Sequence, residues 1–80
     1  MSVDPTDRID IEDLKEVMNN AILRLPPRER LVIALYYYEE LTLKEIGEVM
    51  QISESRVSQI HTKSILKLRG MVREKFALTA

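Results

Sequence analysis

Five polar side chains, Glu54, Ser55, Ser58, Gln59 and Thr62, recur at three-and-four spacing within nine residues. On a helix that turns about 100° per residue they share one arc. Their chemistry suits the edges of base pairs. A glutamine amide can pair with adenine, serine and threonine hydroxyls can serve several bases, and a glutamate can accept from the amine of cytosine. Arg56, Lys63 and Lys67 form a basic stripe beside that arc, and Lys44 adds a charge in the preceding segment. Such cations suit phosphates, which position a protein on a duplex without specifying sequence. The bland reading of the same arc is a solvated helix face. His61, near the edge of the apolar side, is expected to be a packed or solvated histidine.

Net charge is −1 over 80 residues, which is unusual for a protein that handles a polyanion until the charges are mapped. Residues 1–54 hold twelve acids against six bases, whereas residues 55–80 hold six bases against the single acid Glu74. The basic end is therefore the end that carries the polar arc, and such asymmetry points toward nucleic acid. There is no cysteine and one histidine, which removes disulfides and thiolate or histidine-rich metal sites. No nucleophile–base pair, phosphate loop or metal cluster is visible, so no catalysis and no cofactor are expected. No apolar run reaches the roughly 18 residues of a membrane span. No basic segment followed by an apolar one opens the chain as a secretory signal would. A cytoplasmic protein is the resulting expectation.

The arc must be held by helices. Residues 1–10 are polar with an early proline and read as a flexible lead-in; residues 11–80 read as one domain. Leu14, Val17, Met18, Ala21, Ile22 and Leu25 mark one face of a helix over about 11–25, which Pro26-Pro27 stops. Pro27 can open a second helix over about 27–39, with Leu31, Val32, Leu35, Tyr36 and Tyr38 as its buried side. Thr42-Leu43-Lys44-Glu45 is a capping box for a third helix over about 42–50, whose apolar positions are Leu43, Ile46, Val49 and Met50. Ser53 is a good N-cap for a fourth helix over about 53–76, within which Gly70 is a weak point. The fold expected is all-α, a four-helix orthogonal bundle with a helix-turn-helix and without a winged extension.

Within it, Gly47 supplies the small residue that a tight helix pair needs where the two helices touch. Ile52 plugs the turn, and Val57 and Ile60 sit four and seven places after the Ser53 cap, facing inward. All of this falls within about twenty residues, the usual length of the motif. Gln51 stands where such a turn usually places glycine, at a cost of about 1 kcal/mol if the residue is left-handed. Val57, Ile60, Ser64, Leu68 and Met71 form the core arc of the fourth helix. Ile65, Val72 and Phe76 fall outside it, as Tyr37 falls outside the buried side of the second helix. Together with Leu68, which borders both arcs, these four make a candidate partner surface, with packing on the first helix as the alternative.

Leu25-Pro26-Pro27-Arg28-Glu29-Arg30, Leu41-Thr42-Leu43-Lys44-Glu45-Ile46-Gly47, Ser53-Glu54-Ser55-Arg56-Val57-Ser58-Gln59-Ile60-His61 and Lys67-Leu68-Arg69 resemble region 4, the C-terminal region of bacterial sigma factors. The third segment is most similar to the flagellar or motility class. The resemblance covers roughly residues 12–76. It implies binding to the promoter −35 element in double-stranded DNA, docking on the β flap of RNA polymerase core and, in the motility class, capture by an anti-sigma protein. By position, Glu54, Ser55, Ser58 and Gln59 match the family's base-reading sites, with Arg56 and Lys63 near the backbone. Glu54 and Ser58 stand where primary sigma factors carry arginines, which implies a different −35 sequence. The chain is short for a whole sigma factor, so it is expected to be part of one. Two other readings stay open from the residues alone: a response-regulator-type helix-turn-helix regulator, and a pure protein-interaction module.

Overall fold

The computed structural model describes the backbone of residues 10–79 and the side chains of residues 10–76. Apart from Asp10, the expected lead-in lies outside the described residues. Four helices follow in order: α1 (Ile11–Leu23), α2 (Pro27–Tyr37), α3 (Leu43–Met50) and α4 (Glu54–Thr79). No helix among the described residues is long and apolar enough to cross a membrane.

Each boundary has a local cause. Asp10 accepts from the Glu12 N–H at 3.1 Å and caps α1, with Glu12 and Asp13 at the positive end of the helix dipole. Leu25 precedes Pro26 and leaves helical geometry, while its N–H still returns to the Ile22 carbonyl at 3.1 Å. Pro27 takes the first position of α2, where its missing N–H has no helical partner to lose. The end of α2 is closed by Glu40, left-handed at φ 56°, and by a bond from the Leu41 N–H to the Leu35 carbonyl at 3.0 Å.

The capping box opens α3 as its sequence implies. The Thr42 N–H donates to Glu45 Oε1 at 2.9 Å, and the Glu45 N–H donates to Thr42 Oγ1 at 3.1 Å. Gln51 ends the helix at φ 60°, in the left-handed region expected of it. The Arg56 N–H donates to Ser53 Oγ at 3.0 Å, which starts α4.

The core has two parts joined by α4. Ala21, Leu25, Ile33 and Leu68 bring together α1, α2 and α4, with Ile22, Ile65, Met71 and Val72 packed around them. Val32, Ile46, Val57 and Ile60 bring together α2, α3 and α4, with Leu35, Leu41, Leu43, Met50 and Ile52 around them. Adjacent residues Val32 and Ile33 thus serve different halves of the core. Ser64 sits between the halves on α4, fully buried, and satisfies its hydroxyl by donating to the Ile60 carbonyl at 2.7 Å.

The buried side of α2 differs from the expected one. Leu31, Tyr36 and Tyr38 are exposed, and the buried residues are Glu29, Val32 and Ile33. The cause lies in the composition of this helix. Residues 31–38 are apolar or aromatic throughout, so periodicity marks no single face and the packing partners decide. Leu14 and Val49, also expected on apolar faces, are exposed as well.

The two glycines make a direct comparison. A Cβ on Gly47 would lie 2.7 Å from the Ile52 carbonyl oxygen, too close to a backbone atom that cannot turn aside. A Cβ on Gly70 would meet nothing within 4 Å. Gly47→Ala is therefore expected to destabilise the domain by about 1–3 kcal/mol, while Gly70→Ala raises stability by up to about 1 kcal/mol. Thermal melts should separate the two in sign, at roughly 4–8 °C per kcal/mol.

The capping box also has a signature in pH. The Thr42 backbone N–H, and then the Thr42 side chain, hydrogen-bond the Glu45 carboxylate and hold its pKa below the ordinary value. A lowered folded-state pKa gives stability that is present above the unfolded carboxyl pKa and is lost as pH falls through the folded one. In an NMR titration Glu45 should titrate below the ordinary glutamate value, and Thr42→Ala, which removes the side-chain bond and leaves the backbone N–H, should move it part of the way up. An unmoved Glu45 midpoint in that variant would contradict the assignment.

Candidate nucleic-acid interface

The short turn between α3 and α4 places the first three turns of α4 with one side in the core and the other in solvent. Val57 and Ile60 are buried; Glu54, Ser55, Ser58, Gln59 and Thr62 are all exposed. The five expected base-reading side chains therefore stand together on the outer face. Ile52 N–H bonds to the Gly47 carbonyl at 2.9 Å, so the turn is tied to the same residue whose missing Cβ lets it approach. A rigid turn matters here, because a base-edge contact needs its donor and acceptor within a few tenths of an ångström of their places.

The four expected phosphate cations are not equivalent. Lys44, Arg56 and Lys63 are exposed. The Arg56 Nη1 donates to Gln59 Oε1 at 3.3 Å, so the arginine lies along the reading arc. Lys67 departs from expectation. Its Nζ lies 2.8 Å from Glu29 Oε2, an ion pair whose carboxylate is nearly buried. The lysine expected at the DNA backbone is thus engaged by an acid of α2 in this structure, with its own side chain still 37% exposed. The helical wheel puts Lys67 in line with Lys63, but it could not show the acid that α2 sets beside it.

Glu29 is itself a residue that the sequence pattern underused. It lies three and four positions before Val32 and Ile33, on the buried stripe of α2, and that spacing is the signal that could have found it. With Pro26, Arg28, Arg56, Gln59, Ile60 and Lys63 it lines a cleft of about 170 Å³ beside the reading arc. Leu66 was missed as well. It is 59% exposed and shares a shallow depression of about 380 Å³ with Ser58, Gln59, Thr62 and Lys63. An apolar side chain at the far end of the polar arc can meet a thymine methyl or the sugar edge.

His61 is half-buried and packed, as one of its two expected fates had it. It lies against Tyr36, with ring centroids 4.9 Å apart, and stacks on Tyr37 at 5.9 Å. Tyr37 Oη is 3.3 Å from His61 Nε2. Tyr37, assigned to a partner surface, thus has an intramolecular neighbour, although about half of it stays exposed.

The remaining members of that surface divide. Ile65 and Val72 are half-buried against the α1–α2–α4 core, and Phe76 is half-buried further along α4. Leu68 is 5% exposed and belongs to the core, which corrects its assignment to a surface. Met18, Ile65, Leu68, Arg69, Val72 and Arg73 line an open groove of about 480 Å³ between α1 and α4. It is apolar along its floor and flanked by two arginines. Among the described residues no group of acids and histidine could hold a metal ion.

Residues 21–70 match the family described as Sigma-70, region 4. The chain is 58% identical over 59 residues to RNA polymerase sigma factor FliA of Pseudomonas aeruginosa, covering 74% of this chain and 24% of that protein. It is 42% identical over 71 residues to the RNA polymerase sigma-D factor of Bacillus subtilis, covering 89% of this chain and 28% of that one. The chain thus spans about a quarter of the length of the curated relatives it matches. Among solved structures, it superposes with a TM-score of 0.75 and 38% identity on the cocrystal structure of a flagellar sigma/anti-sigma complex, Sigma-28/FlgM, covering 91% of this chain and 31% of that one.

Proposed function

The chain belongs to the Sigma-70 region 4 family, in its flagellar class, and from that premise we propose that it reads the −35 element of promoters for RNA polymerase. The observation that carries the reading is the exposed row Glu54, Ser55, Ser58, Gln59 and Thr62, set on the outer face of the second helix of a tightly held helix-turn-helix. In this role the N-terminal turns of α4 enter the major groove. Ser55, Ser58 and Gln59 address base edges, and Glu54 takes a cytosine amine. Lys44, Arg56 and Lys63 hold phosphates. The net charge of −1 suits a reader whose affinity is completed by other parts of a larger assembly.

The apolar groove between α1 and α4 suits a second task, docking on the polymerase core. The flagellar sigma of the similar solved structure is in complex with an anti-sigma protein, and the same kind of partner is proposed here. Ile65 and Val72 supply apolar area, while Arg69 and Arg73 favour an acidic rim on whatever binds. A cytoplasmic site of action follows from work on DNA with polymerase. The family leaves no reason to keep the response-regulator reading.

Selection of duplexes from a random pool, with polymerase core present, should return one preferred site. Gln59→Ala is then expected to weaken that site by about 1–3 kcal/mol and leave scrambled duplex unchanged. Lys63→Ala should instead weaken all sequences alike and lower the salt slope by about one. Equal loss on every sequence for Gln59→Ala would sink the base-reading assignment.

A further inference from the structure

Glu29 sits in the first turn of α2, 7% exposed, and accepts from Lys67 Nζ at 2.8 Å across 38 residues of sequence. Its other oxygen, Oε1, is buried and has no hydrogen-bond partner among the described residues. A buried ion pair is a poor way to gain stability, since apolar residues of similar volume do as well or better, and a half-answered carboxylate is poorer still. The dipole at the start of α2 favours an acid here, as at the start of α1, but an acid left in solvent would serve that end; a nearly buried carboxylate paired across to α4 asks for a further reason.

Direction supplies one. A charge-assisted hydrogen bond has one preferred length and orientation, whereas contacts among valines, isoleucines and leucines tolerate small rotations and repacking. The core contacts of α4 are mainly of the second kind, through Val57, Ile60 and Leu68. The ion pair lies on the flank of α4 between its core stripe and its outer arc, and Glu29 lines the same cleft as Arg56, Gln59 and Lys63. A small rotation of α4 about its axis would carry Gln59 away from its place while leaving much of the apolar packing intact.

We infer that the Glu29–Lys67 pair sets the rotation of α4 against α2, which makes Glu29 a positioning residue for base reading. The inference rests on the promoter-reading function proposed above. Glu29 touches no base in this scheme. It acts through Lys67 and the seat of α4, and it narrows the range of orientations from which Ser58 and Gln59 approach the groove.

The test compares the 80-residue chain with three variants: Glu29→Gln, the charge-balanced double variant Glu29→Gln/Lys67→Met, and Lys67→Arg. Fluorescence anisotropy reads binding to the selected duplex and to a scrambled duplex, with polymerase core present as in the selection, at a temperature where circular dichroism shows every protein folded. The double variant should lower the ratio of selected to scrambled affinity about tenfold, the order of one lost base contact, with scrambled affinity and salt slope unchanged. Glu29→Gln should lower the same ratio, and Lys67→Arg should retain it. If Glu29→Gln tightens both duplexes by one factor, Lys67 is a phosphate contact that Glu29 restrains, and the inference is overturned. An unchanged ratio in the folded double variant overturns it as well. Should Glu29→Gln not fold, Lys67→Met and Lys67→Arg, at the more exposed partner, decide by the same ratio. A wild-type chain that does not discriminate between the duplexes removes the promoter-reading function itself, and that control separates the two failures.

Discussion

The structure depends on one close approach. The carbonyl of Ile52 comes to 2.7 Å from where a Gly47 side chain would begin, so the turn from α3 to α4 folds onto the helix it leaves. The point at which α4 begins, against α3, takes its position from that contact. The Ile52 N–H returns to the carbonyl of the same glycine, and Gln51 adopts a left-handed conformation to make the path possible. Ile46 and Val57, both fully buried, then meet across the turn. A larger residue at Gly47 would lift α4 and all its outer side chains together.

The fourth helix carries more than one task, and its sides are kept apart by chemistry. One stripe, from Val57 to Leu68, is core and joins the two halves of the apolar interior. The outer arc is polar and largely uncharged, with cations at its margin. Further along, the helix borders an apolar groove shared with α1 and flanked by Arg69 and Arg73. One helix thus relates the polar arc to the apolar groove through about 1.5 Å of rise per residue.

Polar groups inside the domain follow a different logic from its apolar packing. Ser64 is buried but satisfied within its own helix. Glu29 is buried and satisfied on one oxygen only, by a lysine from the far side of the chain. The first lets α4 pass between two clusters without an orphaned hydroxyl. The second ties α2 to α4 through one charged contact, beside Arg56, Gln59 and Lys63.

The helix-turn-helix and its outer arc were legible in the residues because they rest on neighbours within about four positions. Thr42 with Glu45, Ser53 with Arg56, Pro27 at a helix start and Gly47 before a turn are local arrangements, and the periodicity of Val57, Ile60, Ser64 and Leu68 points the arc outward. The family was legible for the same reason, since its motifs are these local signals in fixed order. What tertiary structure alone decided lies between helices. The buried side of α2 could not be chosen from a segment apolar on every side. Lys67 could not be paired without knowing that α2 sets Glu29 beside it, and Leu68, which its spacing placed in the core arc and also beside the candidate partner surface, was decided for the interior by the α1–α2 contact that covers it. A helical wheel gives the direction of a side chain about its own axis; only the packed neighbours determine what stands in that direction.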